Sequence, residues 1–149
     1  MKLYIFMGVL FGGVCEAFTF SAIHNGIPYV NNRNILFSPE HGFVINEGGR
    51  PCADFKINEG NLILLNDNQE RYVYINDTTY ALETSPNPID QQWKFFPGTA
   101  YINHASENTF WLCALGKSGV YKLHYHNGSF PNCLGGIDAA LALQNCVSS

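Results

Sequence analysis

Histidine is the side chain in this sequence whose spacing most directly suggests chemistry. Two of the five histidines stand as His124-x-His126, and residues i and i+2 of a strand share a face, so both imidazoles could reach one transition-metal ion. His104 or His24 would have to supply a third ligand. In the alternative interpretation the strand has one solvent-facing side, Val120, Lys122, His124 and His126, and one inward side, Tyr121, Leu123 and Tyr125. We favour this alternative, and the sequence predicts neither a metal site nor a cofactor.

Nucleophiles and carboxylates form no recognisable catalytic motif. No G-x-S-x-G turn occurs, and Ser129 after Gly128 is better explained as part of a glycosylation triplet or a turn. A glycosidase would need two carboxylates at a defined separation. The candidates are scattered and adjoin turns: Asp54, Asp90, Glu107 and Asp138. We therefore expect no enzymatic activity, with a hydrolase as the least favoured alternative.

Aromatic residues offer a binding chemistry instead of a catalytic one. Trp93 and Trp111 stand among 8 tyrosines and 11 phenylalanines, and exposed rings of this kind can stack on sugars. A small β-protein also fills its core with such residues. We expect Trp111, two residues from Cys113 on the same strand face, to lie in the core. Trp93 stays open as a candidate sugar-stacking residue.

The cysteines favour cross-links in an oxidising compartment. Residues 1–17 have the layout of a secretory signal peptide, with Lys2, an apolar run and small residues at Cys15 and Ala17. Cleavage would remove Cys15 and leave an even number of thiols, which is typical of two disulfides with three conceivable connectivities. The spacing does not fit a zinc site. The remaining cysteines are Cys52, Cys113, Cys133 and Cys146.

Charge and motifs favour a secreted protein that binds neither nucleic acid nor, after removal of the signal peptide, membrane; we expect it to be a monomer. The formal net charge is −4, and no basic run suggests an anionic partner. Two triplets, beginning at Asn76 and Asn127, match the N-glycosylation acceptor pattern.

The elements that must position these residues are short strands. Apolar runs alternate with Asn, Gly, Asp and Pro clusters about every ten residues, the pattern of an all-β sandwich or barrel. Residues 83–92 are predicted to be a surface loop, and 137–143 could form a helix or a final strand. Gly60 and Asn68 are predicted to adopt left-handed turn conformations. Strands are expected over 18–23, 27–30, 34–37, 43–45, 55–57, 61–65, 71–75, 93–96, 100–103, 109–115 and 119–126.

These strands predict one compact disulfide-bonded all-β domain over residues 18–149. A β-trefoil is the favoured architecture. A β-sandwich stays as the alternative, because periodicity alone does not separate the two. A local echo, Phe43-Val-Ile-Asn-Glu-Gly and Phe55-Lys-Ile-Asn-Glu-Gly, reports successive strands and not a threefold repeat.

The cysteine-bearing third resembles the four-cysteine C-terminal domain of yeast PIR-type cell-wall mannoproteins and related short fungal cell-wall proteins. The resemblance is carried by an N-T-F-W-x-C strand ending at Cys113, a V-Y-x-L strand through Leu123, and a C-x12-C ending. Upstream, Cys52 and the F-x-I-x-x-G-x-L hairpin after it also match. The PIR repeats of Q-[IV]-x-D-G-Q type, which form an ester link to β-1,3-glucan, do not occur here, so the covalent linkage is not implied.

The resemblance implies a secreted, non-enzymatic protein of the fungal cell wall, structural or wall-organising, associated with β-glucan or mannoprotein. Among the three connectivities we prefer Cys113–Cys133, which would close one hairpin region, with Cys52–Cys146, which would tie an early strand to the chain end. The alternative function is a lectin-like carbohydrate-binding or protease-inhibitor module acting as a secreted effector.

Overall fold

The computed structural model describes residues 17–126, 133 and 135–147, so the predicted signal peptide lies outside the described residues except for Ala17. Nearly all regular structure in these ranges is strand, together with a 3-10 turn at Asn66–Asn68. No helix in the described part of the chain is long and apolar enough to cross a membrane. The strands are β1 (Phe20–Ile23), β2 (Arg33–Asn34), β3 (Leu36–Ser38), β4 (Gly42–Ile45), β5 (Phe55–Asn58), β6 (Asn61–Leu64), β7 (Arg71–Ile75), β8 (Leu82–Ser85), β9 (Trp93–Phe95), β10 (Ile102–His104), β11 (Phe110–Ala114), β12 (Tyr121–Tyr125) and β13 (Ile137–Leu143).

The largest sheet is nearly a closed barrel. Its order is β2-β1-β13-β11-β12-β4-β3, with antiparallel neighbours. The two edge strands, β2 and β3, are separated in the chain only by Ile35. The sheet therefore curls round until its edges almost meet.

Two smaller sheets complete the fold. Strands β5 to β8 form a four-stranded meander, and β9 pairs with β10. The meander joins the barrel through bridges from Phe18 to Phe55 and from Ala81 to His124, while the β9–β10 hairpin joins it through Tyr101 and Ala142. The all-β prediction is confirmed, and the trefoil stays a prediction.

One hydrophobic core is shared by all three sheets. Phe20 contacts Phe18 and Phe55 with ring centroids 5.3 Å away in each case, and Phe43 lies 5.6 Å from Phe55. Since aromatic pairs at these separations add to the energy of apolar burial, this cluster fastens the meander to the barrel.

Local differences from the sequence predictions have local causes. Residues 27–30 form a turn instead of a strand, because the amides of Val30 and Asn31 both bond to the carbonyl of Ile27. The sequence also missed β8, whose residues pair with β7. The segment left open between helix and strand is strand β13. Gly60 (φ 82°) and Asn68 (φ 57°) have the predicted left-handed conformations.

Candidate functional site

The four cysteines form two disulfides, Cys52–Cys146 and Cys113–Cys133. This is the preferred connectivity of the three, and it is confirmed. The first bond joins the segment before β5 to the segment after β13. The second joins β11 to the connection that leads into β13. The cysteines are therefore cross-links and not nucleophiles.

Trp93, which the sequence left open as a candidate sugar-stacking residue, is buried in the core. Trp93 is 1% exposed, and its indole nitrogen donates to the carbonyl of Val73 at 3.2 Å. Its ring stacks on Phe110 with centroids 6.3 Å apart. The sugar-stacking assignment of Trp93 was therefore wrong, because both the ring and its polar atom are used inside the protein.

Trp111 was expected in the core but is half-buried on the other face of β11. Phe110 and Leu112 on the same strand are fully buried and point the opposite way. The ring of Trp111 contacts His126 at 5.1 Å. Gly136 packs closely against the indole, since a Cβ added at Gly136 would lie 2.2 Å from the indole nitrogen of Trp111. Alternation placed Trp111 with Cys113, and the structure shows that their shared face lies outside the main core.

The histidine pair is only partly as predicted. Leu123 and Tyr125 point inward as expected, but His124 and His126 are half-buried instead of fully solvent-facing. Burial lowers the pKa of His124, an effect only partly opposed by its hydrogen bond with the backbone of Lys122. Within the described ranges, no group of three or more His, Cys, Asp or Glu side chains could hold a metal ion.

Of the two glycosylation triplets, the one at Asn127 lies outside the described residues. Asn76 follows β7 and begins a turn that its own side chain stabilises, since its Oδ1 accepts hydrogen bonds from the amides of Thr78 and Thr79 at 2.8 and 3.0 Å. Its Nδ2, the atom that would carry a glycan, donates to Glu83 at 3.1 Å. Glycosylation of either residue stays a prediction.

Asp90 and His104 form a buried acid–base pair, and this is the arrangement closest to a catalytic one. His104 Nε2 lies 2.9 and 2.8 Å from the two carboxylate oxygens, and the side chains are only 8% and 10% exposed. Because Nε2 faces a carboxylate, which only accepts, Nε2 is the donor of this hydrogen bond. His104 also packs edge-on against Trp93 and Tyr125, at 4.7 and 4.9 Å.

The bonding of Asp90 favours a structural role. Desolvation raises its pKa, but the hydrogen bond and charge of His104 and backbone bonds from Gln92 and Ile75 outweigh it, so the pKa of Asp90 is lowered. The carboxylate thus ties β10, the end of β7 and the loop before β9 together. Its lone pairs are occupied by these donors, which leaves it little capacity to act as a base or nucleophile. Of the other carboxylates considered for hydrolysis, Glu107 and Asp138 are exposed.

A pair of tyrosines offers an accessible aromatic surface. Tyr29 is 50% exposed, and its ring centroid lies 6.2 Å from that of the half-buried Tyr121. A hydrogen bond with Tyr29, followed by burial, raises the pKa of Tyr121. Tyr29 is fixed from behind because Asn46 Nδ2 donates to its carbonyl at 2.8 Å and to that of Gly119 at 3.2 Å. Sequence reasoning missed this pair, placing Tyr121 inward and Tyr29 within a strand.

Asn46, whose side chain bonds to the backbone of Tyr29, also lines a cleft of about 710 Å³. We call it the disulfide cleft, because Cys52 and Cys146 form part of its wall. The remaining wall residues come from three distant segments of the chain: Asn32, Arg33, Asn34, Leu36, Glu47, Gly48, Arg50, Pro51 and Val147. Its size lies within the range of small-molecule and sugar sites.

No protein-family model, curated protein or solved structure matches the chain. The geometry itself gives an exposed aromatic pair next to a polar cleft. Aromatic rings bind the apolar faces of ligands and the groups of a polar cleft bind their hydroxyls or charges, so the combination is suited to carbohydrate.

Proposed function

We propose that this chain is a secreted, non-enzymatic cell-wall protein that associates non-covalently with wall polysaccharide or mannoprotein. The observation that carries the proposal is the exposed tyrosine pair together with the disulfide cleft, which Asn46 connects: its side chain bonds to the backbone of Tyr29 and also lines the cleft. A ring such as that of Tyr29 provides a large apolar contact with a polar end, which suits a ligand that alternates C–H and O–H groups.

The framework supports a role outside the cell. Two disulfides in a domain of this size are typical of secreted proteins and are rare in reducing compartments. In the place where enzymatic function was most plausible, Asp90 is bonded from several sides. The Nδ1 atom of His104 has no hydrogen-bond partner among the described residues, but it is buried out of reach of a substrate. Binding therefore accounts for the accessible features better than turnover does.

The test is co-sedimentation of the purified protein with insoluble β-glucan and with isolated cell walls. Tyr29→Ala should weaken retention about tenfold, because it removes a ring that would bury apolar area against the sugar. Phe96→Ala is the matched control: Phe96 is 47% exposed, as Tyr29 is at 50%, but lies by the β9–β10 turn. Equal retention of all three proteins would rule out the tyrosine pair as the binding surface.

The same surface also favours the alternative of a soluble lectin-like effector. Fractionation of the native protein separates the two. A wall component should be recovered mainly in the detergent–reductant extract of the wall, whereas an effector should remain in the medium and bind a foreign glycan with saccharide specificity.

A further inference from the structure

The disulfide cleft differs from a neutral sugar site in the hydrogen-bonding groups that it leaves free. Its asparagines hold the walls together. Asn34 donates to Ser21 and to the carbonyl of Asn145, and it accepts the amide of Val147 at 2.9 Å. The Nδ2 of Asn46 is likewise occupied by two backbone carbonyls.

The one carboxylate in the cleft wall is neutralised from within the protein. Glu47 accepts from the Nε of Arg50, from His41 Nδ1 at 3.0 Å and from Ser38 at 3.4 Å. The hydrogen bond from Arg50, and then that from His41, lowers the pKa of Glu47, so this carboxylate is ionised and paired. It does not offer a free acceptor to a ligand.

The charged groups that remain free in the cleft are therefore cationic. Arg33 is exposed, and its guanidinium makes no hydrogen bond or ion pair with any described residue. Arg50 uses Nε for Glu47 and keeps its two terminal amino groups, with no bond from them to the described chain. Two guanidinium groups against one carboxylate give the cleft a local positive charge, although the whole chain has a formal net charge of −4.

We propose that the disulfide cleft binds an oxyanion, a phosphate or carboxylate group carried by an extracellular polysaccharide or glycoprotein glycan, through Arg33 and Arg50. This rests on the proposed function and narrows it, since neutral β-glucan has no such group. Guanidinium is the side chain best suited to this recognition because its planar array of N–H donors matches the paired oxygens of carboxylate and phosphate. The wall contacts made by Asn34 hold the C-terminal segment in place, so the cleft is formed before the ligand arrives.

Asn46 connects the cleft wall to the backbone of Tyr29, so a ligand that extends from the cleft to this segment would make two contacts of different kinds. The sugar ring would lie on the tyrosine pair while its charged substituent lies between the arginines. Such a division predicts that the two contributions can be separated by mutation.

The experiment is calorimetric titration of the purified secreted protein with mannose 6-phosphate, with a galacturonic acid oligomer and with uncharged mannose and β-glucan oligomers. An anionic probe should bind more tightly than its uncharged counterpart, and its affinity should fall with added salt. Arg33→Gln should weaken anion binding about tenfold, because it removes charge-assisted hydrogen bonds. Lys94→Gln, a change of an exposed cation on β9 outside the cleft wall, is the control and should have no effect.

Preference for mannose 6-phosphate or for the uronate identifies the source of the oxyanion, and either result supports the proposal. Equal affinity for charged and uncharged probes, or anion binding unchanged by Arg33→Gln, overturns it. If neutral glucan still binds and the binding is lost on Tyr29→Ala, only the oxyanion site fails and the proposed function stands. If no glycan of either kind binds, both fail. Arg50→Lys, which keeps the charge that pairs with Glu47, checks the second arginine without abolishing the ion pair.

Discussion

Removing the Cys52–Cys146 disulfide should destabilise the protein more than removing Cys113–Cys133, by an amount that follows from the two loop lengths. The bonds close loops with sequence separations of 94 and 20 residues. In the chain-entropy treatment a loop of 20 residues gives about 3.3 kcal/mol at 25 °C. The larger loop contains the smaller one, so it constrains an effective length of about 74 residues and gives about 4.4 kcal/mol.

The two double variants are matched for other effects. Each bond has one buried cysteine, Cys52 at 8% and Cys113 at 4% exposure, so serine substitution buries a similar polar group in each variant. The difference between Cys52→Ser/Cys146→Ser and Cys113→Ser/Cys133→Ser should therefore be about 1 kcal/mol, and it should arise mainly from the unfolded chain.

Urea unfolding at neutral pH, followed by tryptophan fluorescence, measures both free energies. The variant that lacks the long-range bond should also have the larger m-value, because its unfolded chain exposes more surface. If the Cys113→Ser/Cys133→Ser protein is the less stable of the two, loop entropy does not control the order. Native-state contacts around β11 would then have to account for the difference.

Two further changes test the packing around the loop before β9. Gly60→Ala should cost at least about 2 kcal/mol of unfolding free energy, since φ is +82° and a Cβ would lie 2.3 Å from the carbonyl oxygen of Gln91. Gly98→Ala is the control: Gly98 has a φ of +76° but open space around it, so this substitution should cost clearly less in the same urea titration. Asp90→Asn should cost about 1–3 kcal/mol at pH 7, because a buried donor of His104 loses its carboxylate. The pKa of Asp90 is lowered from 3.8 in the folded protein. The stabilisation by the Asp90 carboxylate is therefore present above pH 3.8 and is lost as the pH falls through the pKa of the folded state, so the difference in unfolding free energy between the wild type and Asp90→Asn should narrow on acidification. A constant difference in urea titrations at several pH values would contradict this assignment.

Local patterns in the sequence predicted the strands well where apolar alternation was strong. Residues 71–75 were expected to form a strand and form β7. Strand β8 was missed because Leu82–Ser85 is followed by two prolines and is mostly polar, so the whole stretch was interpreted as a loop. Its strand character comes from pairing, with Glu83 opposite Tyr74 and Thr84 opposite Val73. Pairing partners are a tertiary property that no local window contains.

The wrong placement of Trp111 and the undecided placement of Trp93 have a similar physical cause. Alternation along a strand assigns residues to two faces but does not say which face meets the core. For β11 the expected face, that of Trp111 and Cys113, is the outer one, and Phe110 and Leu112 fill the core. For β9 only three residues are paired, too few for a pattern, so the burial of Trp93 could not be read from its neighbours.

The candidate site was the least predictable feature because it has no local motif. Tyr29, in the turn between β1 and β2, contacts Tyr121 of β12, which is distant in the sequence. Arg33 and Arg50 reach one cleft from segments on either side of β3 and β4. The sequence showed Arg33 only as part of a polar, asparagine-rich turn. The partner of Cys52 could be predicted because four cysteines allow only three connectivities. That prediction was the one that located part of the cleft wall.

The same disulfide links the stability of the fold to the shape of the proposed binding surface. Val147 and Cys146 complete the cleft, yet they follow the last strand and are held there by the bond to Cys52 and the two backbone contacts of Asn34. Without the bond, the ordering of this segment would have to be compensated by ligand contacts, and affinity falls when binding includes such ordering. The free groups of the cleft are two long arginine side chains, so the affinity of the cleft depends strongly on a fixed backbone around them. The Cys52–Cys146 bond therefore contributes to recognition through preorganisation, in addition to its effect on the unfolded chain.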